Sequence, residues 1–172
     1  MRTLYLLRHA KSALKDTGMD DHERPLAPRG KRAARALAQH FRASGVSPSL
    51  VLCSSSVRTR ETLDLVMPGF AKAPIVAIER GLYLAEPREI LARLKRIEPE
   101  VETVMVIGHN PGLHELALRL AEQGEDAPRG ALKAKFPTGA LAVYAVEKDW
   151  AALGPRTARL ADYRIPAELG AD

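Results

Sequence analysis

Short apolar runs alternate with amphipathic segments along the chain up to about residue 121. Each run is four to seven residues long and is followed by polar or turn-forming residues. A short, continuous apolar run of this kind is typical of a strand buried in a sheet. The pattern predicts five such strands: Leu4–Leu7, Leu50–Cys53, Ile75–Ile78, Val104–Ile107 and Ala140–Val146.

The segments between these runs have apolar residues at helical spacing. In the helix predicted from near Pro28, Ala34, Leu37 and Phe41 share one face. Asn110 and Pro111 are suited to the N-cap and the first position of a later helix. The pattern predicts four helices: one from near Pro28, one from about Ser56 to Met67, one after Pro87 and one after Asn110-Pro111.

This alternation predicts an α/β fold: a three-layer sandwich with a doubly wound, mostly parallel sheet. After about residue 121 the pattern changes. Leu132–Phe136, Ala140–Val146 and Arg156–Tyr163 read as strands without intervening helices, so we expect antiparallel additions near the C-terminus. Gly18–Arg24 and Gln123–Arg129 read as polar loops. We expect residues 1–172 to form one domain.

Composition narrows the class of protein. The chain is 46% hydrophobic and 27% charged, as in globular proteins that fold on their own. Its single cysteine excludes an intramolecular disulfide and favours a reducing cytoplasm. No apolar stretch approaches the roughly 20 residues of a membrane span, so we expect no membrane partner.

The net charge is +5, which is compatible with an anionic ligand or partner. However, the basic residues are interspersed with acidic ones, and aromatic residues make up only 5% of the chain. Base-stacking platforms need more aromatic side chains than this, so we expect no nucleic-acid partner. No strongly apolar surface helix stands out, so we expect a monomer.

Cationic and imidazole side chains follow three of the predicted strands. Arg8 and His9 end the first strand, Arg58 lies in the first helical turn after the second, and His109 follows the fourth. Because ligands of open α/β sheets bind outside the carboxyl ends of the strands, we expect these residues to converge. The N-termini of the following helices lie at the same edge and favour anions.

This set of residues suits phosphate chemistry. Arginine donates hydrogen bonds in a fork that matches phosphoryl oxygens, and a neutral imidazole can attack phosphorus. Taken alone, Arg8-His9 and Arg58 are more often structural, as a strand end and an exposed helix face, and His109 fits a histidine near a helix start equally well. Their convergence favours a site. No set of residues at metal-ligand spacing is visible, so we expect no metal.

Three motifs in this order resemble the histidine phosphatase superfamily, whose fold is phosphoglycerate-mutase-like: LYLLRHAKS, SSSVRTRET and VIGHNPG. The resemblance covers nearly the whole chain. In the short length of the chain and in the stretches ERPLAPRGKRAA and GHNPG, the sequence is similar to members of the SixA-type phosphohistidine phosphatase branch. The resemblance implies a cytoplasmic, metal-independent phosphatase of bacterial signalling that needs no organic cofactor. It also implies a phosphorylated protein or a small phosphorylated metabolite as partner.

The resemblance further implies that His9 is the nucleophile and is transiently phosphorylated. The other implied positions are Arg8, Arg58 and His109, which hold the phosphoryl group, and the substrate-binding candidates Arg24 and Asn110. Mutase-like members take a glutamate general acid from the segment after the third strand. Glu79 and Glu86 are the candidates in this region, and Asp21, just ahead of Arg24, is another candidate in this branch. A phosphoramidate leaving group can already carry a proton, so a dedicated acid matters less for such a substrate.

Two alternatives stay open. A cysteine-dependent phosphatase would use Cys53, but four residues separate Cys53 from Arg58, whereas that class has five. A non-catalytic phosphate-sensing or phosphoprotein-binding module would need no nucleophile, so His9 argues against it. The sequence leaves the substrate open among a phosphohistidine protein, a free phosphoramidate and a phosphomonoester.

Overall fold

The centre of the structure is a mixed six-stranded sheet in the order β3-β2-β4-β1-β5-β6. The structure is a computed structural model that describes residues 1–14, 18–121 and 127–169. The strands are β1 Arg2–Arg8, β2 Leu50–Ser54, β3 Ile75–Glu79, β4 Thr103–Gly108, β5 Leu141–Val146 and β6 Ala158–Arg164. The helices are α1 Pro28–Ser44, α2 Val57–Val66, α3 Pro87–Lys95, α4 Gly112–Leu120 and α5 Ala127–Ala134.

Strand β1 lies inside the sheet and explains its mixed character. Leu4 is opposite Val104 of β4 in a parallel pair and opposite Tyr144 of β5 in an antiparallel pair. Leu4 packs on one face of the sheet and Tyr5 on the other. Both faces of β1 are therefore covered, which is why its sequence is continuously apolar rather than alternating. The predicted α/β sandwich with antiparallel strands near the C-terminus is confirmed.

The helices form layers on the two faces. Buried residues of α3, α4 and α5 pack against one face of the sheet, and those of α1 and α2 pack against the other. Helix α1 has Pro28 in its first turn, and Gly45, whose φ of 76° is left-handed, caps its C-terminus. Its apolar stripe, which includes Leu37 and Phe41, is fully buried. Among the described helices, none is both long and apolar enough to cross a membrane.

Three local predictions were wrong. The strand predicted at Leu132–Phe136 is mostly helix α5, in which Leu132 alone is buried. One apolar residue that must face the core fits a helix turn as well as a strand. Helix α4 begins at Gly112, and the preceding Asn110-Pro111 bond is cis. The Asn110 amide donates to the Phe136 carbonyl instead of capping the helix.

The third wrong prediction concerns β3, which is not buried. It lies at the edge of the sheet, and Ile75 is 74% exposed. The predicted loop Gly18–Arg24 includes a short 3-10 helix at Asp21–Glu23. Of the loop predicted at Gln123–Arg129, residues 123–126 lie outside the described part of the chain, and the rest opens α5.

Candidate active site

The carboxyl ends of β1, β2 and β4 open into one pocket of about 540 Å³. The predicted site residues Arg8, His9, Arg58 and His109 all line it, although they come from three separate strand ends. Among the residues that the structure describes, four cationic side chains and one carboxylate line this pocket. Its lining residues are Arg8, His9, Lys11, Ser12, Asp21, Arg24, Arg58, Tyr83, Leu84, His109, Asn110 and Thr138.

His9 is buried, with 6% of its surface exposed, and its ring orientation is defined. Nδ1 lies 2.8 Å from the Ala10 carbonyl oxygen. Because a carbonyl only accepts, Nδ1 carries the proton and Nε2 keeps its lone pair. Burial, followed by the charges of Arg8 and Arg58, lowers the pKa of His9 to about 3. The imidazole is therefore neutral near pH 7.

The backbone around His9 is held from two sides. The Gly139 amide donates to the carbonyl oxygens of both Arg8 and His9, at 3.1 and 2.9 Å. The Ala10 amide donates to the Thr62 hydroxyl, which in turn donates to the Arg58 carbonyl. These bonds tie the end of β1 to β5 and α2, so the imidazole sits on a rigid support.

His109 is 2% exposed and lies between a serine and an arginine. Its Nδ1 accepts from Arg58 at 3.3 Å, so Nε2 carries the proton and donates to the Ser54 hydroxyl at 2.7 Å. Burial and the neighbouring His9 and Arg58 lower the pKa of His109 to about 3. The rings of His9 and His109 are 5.3 Å apart between centroids. Two neutral imidazoles thus face each other across the pocket floor.

Asp21 organises the cations of the pocket. Its carboxylate accepts from Arg58 at 3.0 Å and from Arg24 at 2.9 Å, and the Tyr83 hydroxyl donates to it at 2.5 Å. Its backbone carbonyl accepts from Arg58 as well. The hydrogen bond from Tyr83, with those from the two arginines, holds the pKa of Asp21 far below its usual range. Asp21 is therefore an ionised acceptor at neutral pH.

The two substrate-binding candidates are at the pocket wall. Arg24 donates to the Ser12 hydroxyl at 2.6 Å and to the Ala13 carbonyl at 2.7 Å, which fixes the loop after β1. Asn110 and Arg8 both donate to the Phe136 carbonyl, at 2.7 and 3.2 Å. Arg8, Arg24 and Asn110 therefore line the same pocket as the two histidines.

The other acid candidates lie elsewhere. Glu79 is held by Arg93 of α3 through contacts of 2.8 to 3.0 Å and does not line the pocket. Glu86 is exposed and pairs with Arg88 beside the first turn of α3. Cys53 is fully buried and outside the pocket lining, and burial raises the pKa of its thiol to about 12. The structure brings none of these three to the histidines.

Several pocket residues were missed from the sequence. Tyr83 contacts Asp21 and lies edge-on to His109, with centroids 5.4 Å apart. Ser54 fixes His109, and Thr138 and Leu84 complete the wall. The serine cluster after β2 was a visible signal for Ser54. Tyr83 gave none, because it follows an unremarkable 3-10 turn at Arg80–Leu82.

Among the described residues, no group of three or more histidine, cysteine, aspartate or glutamate side chains could hold a metal ion. Beside the Asp21 carboxylate, the lining residues supply imidazole, guanidinium, ammonium, amide and hydroxyl groups. Such groups can bind a tetrahedral oxyanion through charge-assisted hydrogen bonds.

Comparisons with known proteins agree with this geometry. The sequence profile of the histidine phosphatase superfamily (branch 1) matches residues 4–81. A candidate phosphohistidine phosphatase SixA from Nakamurella multipartitia is 31% identical with a TM-score of 0.83, and the match covers 96% of both chains. The chain belongs to the histidine phosphatase superfamily.

Similarity to solved SixA proteins places this histidine phosphatase in the SixA-type branch. A protein histidine phosphatase SixA solved with tungstate is 25% identical with a TM-score of 0.78, covering 97% of this chain and 99% of that one. An uncharacterized protein of Mycobacterium tuberculosis is 40% identical over 162 residues, 93% of this chain and 99% of the relative. These similarities support a phosphatase activity.

Proposed function

We propose that the protein removes the phosphoryl group from phosphohistidine in a protein, or from a related small phosphoramidate or phosphomonoester, through a phosphohistidine intermediate on His9. The observation that carries the proposal is the state of His9. It is a neutral imidazole whose Nδ1 proton is bound to the Ala10 carbonyl, within a pocket lined by four cations. Its Nε2 lone pair is therefore available to attack phosphorus.

The pocket would hold the phosphoryl group through Arg8, Arg58 and His109. The Nε atoms of both arginines are buried and have no hydrogen-bond partner among the described residues, and buried donors favour an anionic acceptor. A bound phosphoryl anion would offset the cations beside His109 and favour its protonated form, in which Nδ1 can donate. The relative solved with tungstate, also a tetrahedral oxyanion, supports this assignment.

The reaction has two steps. Nε2 of His9 attacks phosphorus, and the bond between phosphorus and the leaving atom breaks with its electron pair going to the leaving group. Water then attacks phosphorylated His9 and releases inorganic phosphate, which returns the imidazole to its neutral form. Positive charge on Arg8 and Arg58 stabilises the phosphoryl oxygens in both steps. The proposed route needs no metal and no organic cofactor.

The acid–base groups of the pocket favour a nitrogen leaving group. In the described part of the chain, Asp21 is the carboxylate that lines the pocket, and it is ionised and bound by Arg24, Arg58 and Tyr83. It therefore has no proton to give to a departing alkoxide. A phosphorylated imidazole can leave with a proton that it already carries. We accordingly propose phosphohistidine or another phosphoramidate ahead of alkyl phosphates.

The test combines loss of turnover with retention of binding. His9→Ala is expected to abolish phosphoramidate hydrolysis while vanadate still binds, because the arginines remain. Wild-type protein quenched during turnover should contain an acid-labile, base-stable phosphoenzyme. The matched control is His40→Ala on α1, outside the pocket lining. Undiminished turnover by His9→Ala would remove His9 as the nucleophile, and binding without turnover in the wild type would indicate a non-catalytic module.

A further inference from the structure

A second cavity, of about 510 Å³, continues from the candidate active site between α3 and α4. Leu84 lines both cavities, and Pro111 in the second directly follows Asn110 in the first. A substrate larger than a phosphoryl group would therefore extend into this space. We call it the flanking groove, lined by Leu84, Ala85, Glu86, Pro87, Arg88, Pro111, Gly112, Glu115 and Arg119.

The flanking groove is a preformed feature of the fold. A Cβ added at Gly112 would lie 1.9 Å from the Ala85 carbonyl oxygen, so the start of α4 and the chain before α3 touch through their backbones. Leu84, at the shared rim, has a φ of 50° and is 52% exposed. A left-handed leucine is rare, and such strained residues cluster at binding sites. This backbone conformation places the apolar side chain of Leu84 between the pocket and the groove.

The chemistry of the flanking groove suits a polypeptide. Leu84, Ala85, Pro87 and Pro111 supply its apolar lining, and two acidic and two basic side chains line it as well. On one wall Glu86 pairs with Arg88 at 3.0 Å, and both are well exposed. A phosphorylated metabolite without apolar groups gains little from such an apolar lining. An extended polypeptide has apolar side chains beside charged ones and can use both.

We propose that the flanking groove binds the polypeptide segment next to the phosphorylated histidine of the substrate. This inference rests on the proposed phosphatase function and adds the surface that recognises the chain around the reacting side chain. Recognition outside the phosphoryl pocket supplies binding energy that a free phosphorylated amino acid cannot use. The enzyme should therefore prefer a phosphohistidine peptide over free phosphohistidine, although both contain the same phosphorus–nitrogen bond.

The experiment compares kcat/KM for a phosphohistidine peptide with apolar flanking residues against free phosphohistidine. The wild type is expected to prefer the peptide at least tenfold. Glu115→Trp and Arg119→Trp, at exposed positions of α4, fill the groove and should bring the ratio of the two values close to one. The control is Leu118→Trp, also on α4 and exposed but outside the groove lining, which should keep the wild-type ratio.

Each other outcome has a distinct meaning. If the wild type hydrolyses both compounds equally, or if the groove variants keep the peptide preference, the groove proposal is overturned and the phosphatase proposal stands. If the wild type hydrolyses neither compound, the proposed function fails and the groove proposal fails with it. If Glu115→Trp alters the sedimentation of the protein instead of the ratio, the groove joins two copies of the chain and does not bind substrate.

Discussion

Acidification should destabilise this protein well before its carboxylates become protonated, because of the two histidines in the pocket. In the folded state burial keeps His9 and His109 neutral, with pKa values lowered from 6.5 to about 3. In the unfolded chain both regain an ordinary pKa of about 6.5. As pH falls below about 6.5, only the unfolded state takes up protons at these residues. Their contribution to stability is thus complete above pH 6.5 and is lost progressively toward pH 3.

The size of the effect between pH 7 and pH 5 follows from these values. At pH 5 the protonated form of an unfolded histidine exceeds its neutral form by about 30 to 1, because the pH lies about 1.5 units below the pKa. The buried imidazoles stay neutral at this pH. Proton uptake then favours the unfolded state by about 2 kcal/mol for each histidine, and by about 0.2 kcal/mol at pH 7. The free energy of unfolding should therefore fall by close to 4 kcal/mol for the pair, a large part of the ~5–15 kcal/mol typical of a domain.

Urea unfolding at pH 7 and pH 5 measures this difference, with the fluorescence of Trp150 as the probe. Trp150 is the single tryptophan of the chain and is fully buried. The buffers should contain no phosphate, since bound oxyanion would stabilise the folded state. His109→Gln removes one of the two groups, so its loss of stability between the two pH values should be about 2 kcal/mol. Equal stability of the wild type at both pH values, or an undiminished loss in His109→Gln, would refute the reasoning.

Two further substitutions compare Tyr83, which lines the pocket, with Glu79, which the sequence suggested as a general acid but which lies outside the pocket. Tyr83→Phe removes the hydroxyl that donates to Asp21 at 2.5 Å and keeps the ring beside His109. We expect kcat/KM for phosphoramidate to fall about 3- to 10-fold, because a typical hydrogen bond contributes about 0.5–1.5 kcal/mol and this one acts on the substrate only through Asp21 and the arginines; wild-type kinetics would show that Asp21 needs no such support. Glu79→Gln should leave kcat/KM within about twofold of the wild type, because the carboxylate is bound to Arg93 outside the pocket, whereas a general acid would contribute about 100-fold or more. A loss of that size in steady-state assays would return Glu79 to the mechanism.

Local patterns in the sequence were sufficient for much of the fold. Buried strands such as β1 are apolar on both faces, so they are visible as continuous runs. Helices such as α1 show their buried stripe directly in the spacing of Leu37 and Phe41. The predictions at β3 and α5 were wrong because burial and secondary structure there depend on where the segment lies in the tertiary fold. Whether Ile75 is covered depends on the place of β3 in the sheet order, and the state of Leu132 depends on what packs over it.

The sequence by itself determined which chemistry the protein brings to the ends of its strands. Arg8 and His9, Arg58, and His109 each follow an apolar run, and parallel strands must deliver them to one edge. The tertiary structure alone decided how they are protonated and held. Asp21 meets Arg58 across 37 residues of sequence and Tyr83 across 62. Contacts over such separations depend on the packing of whole elements, and so does the burial that keeps both histidines neutral.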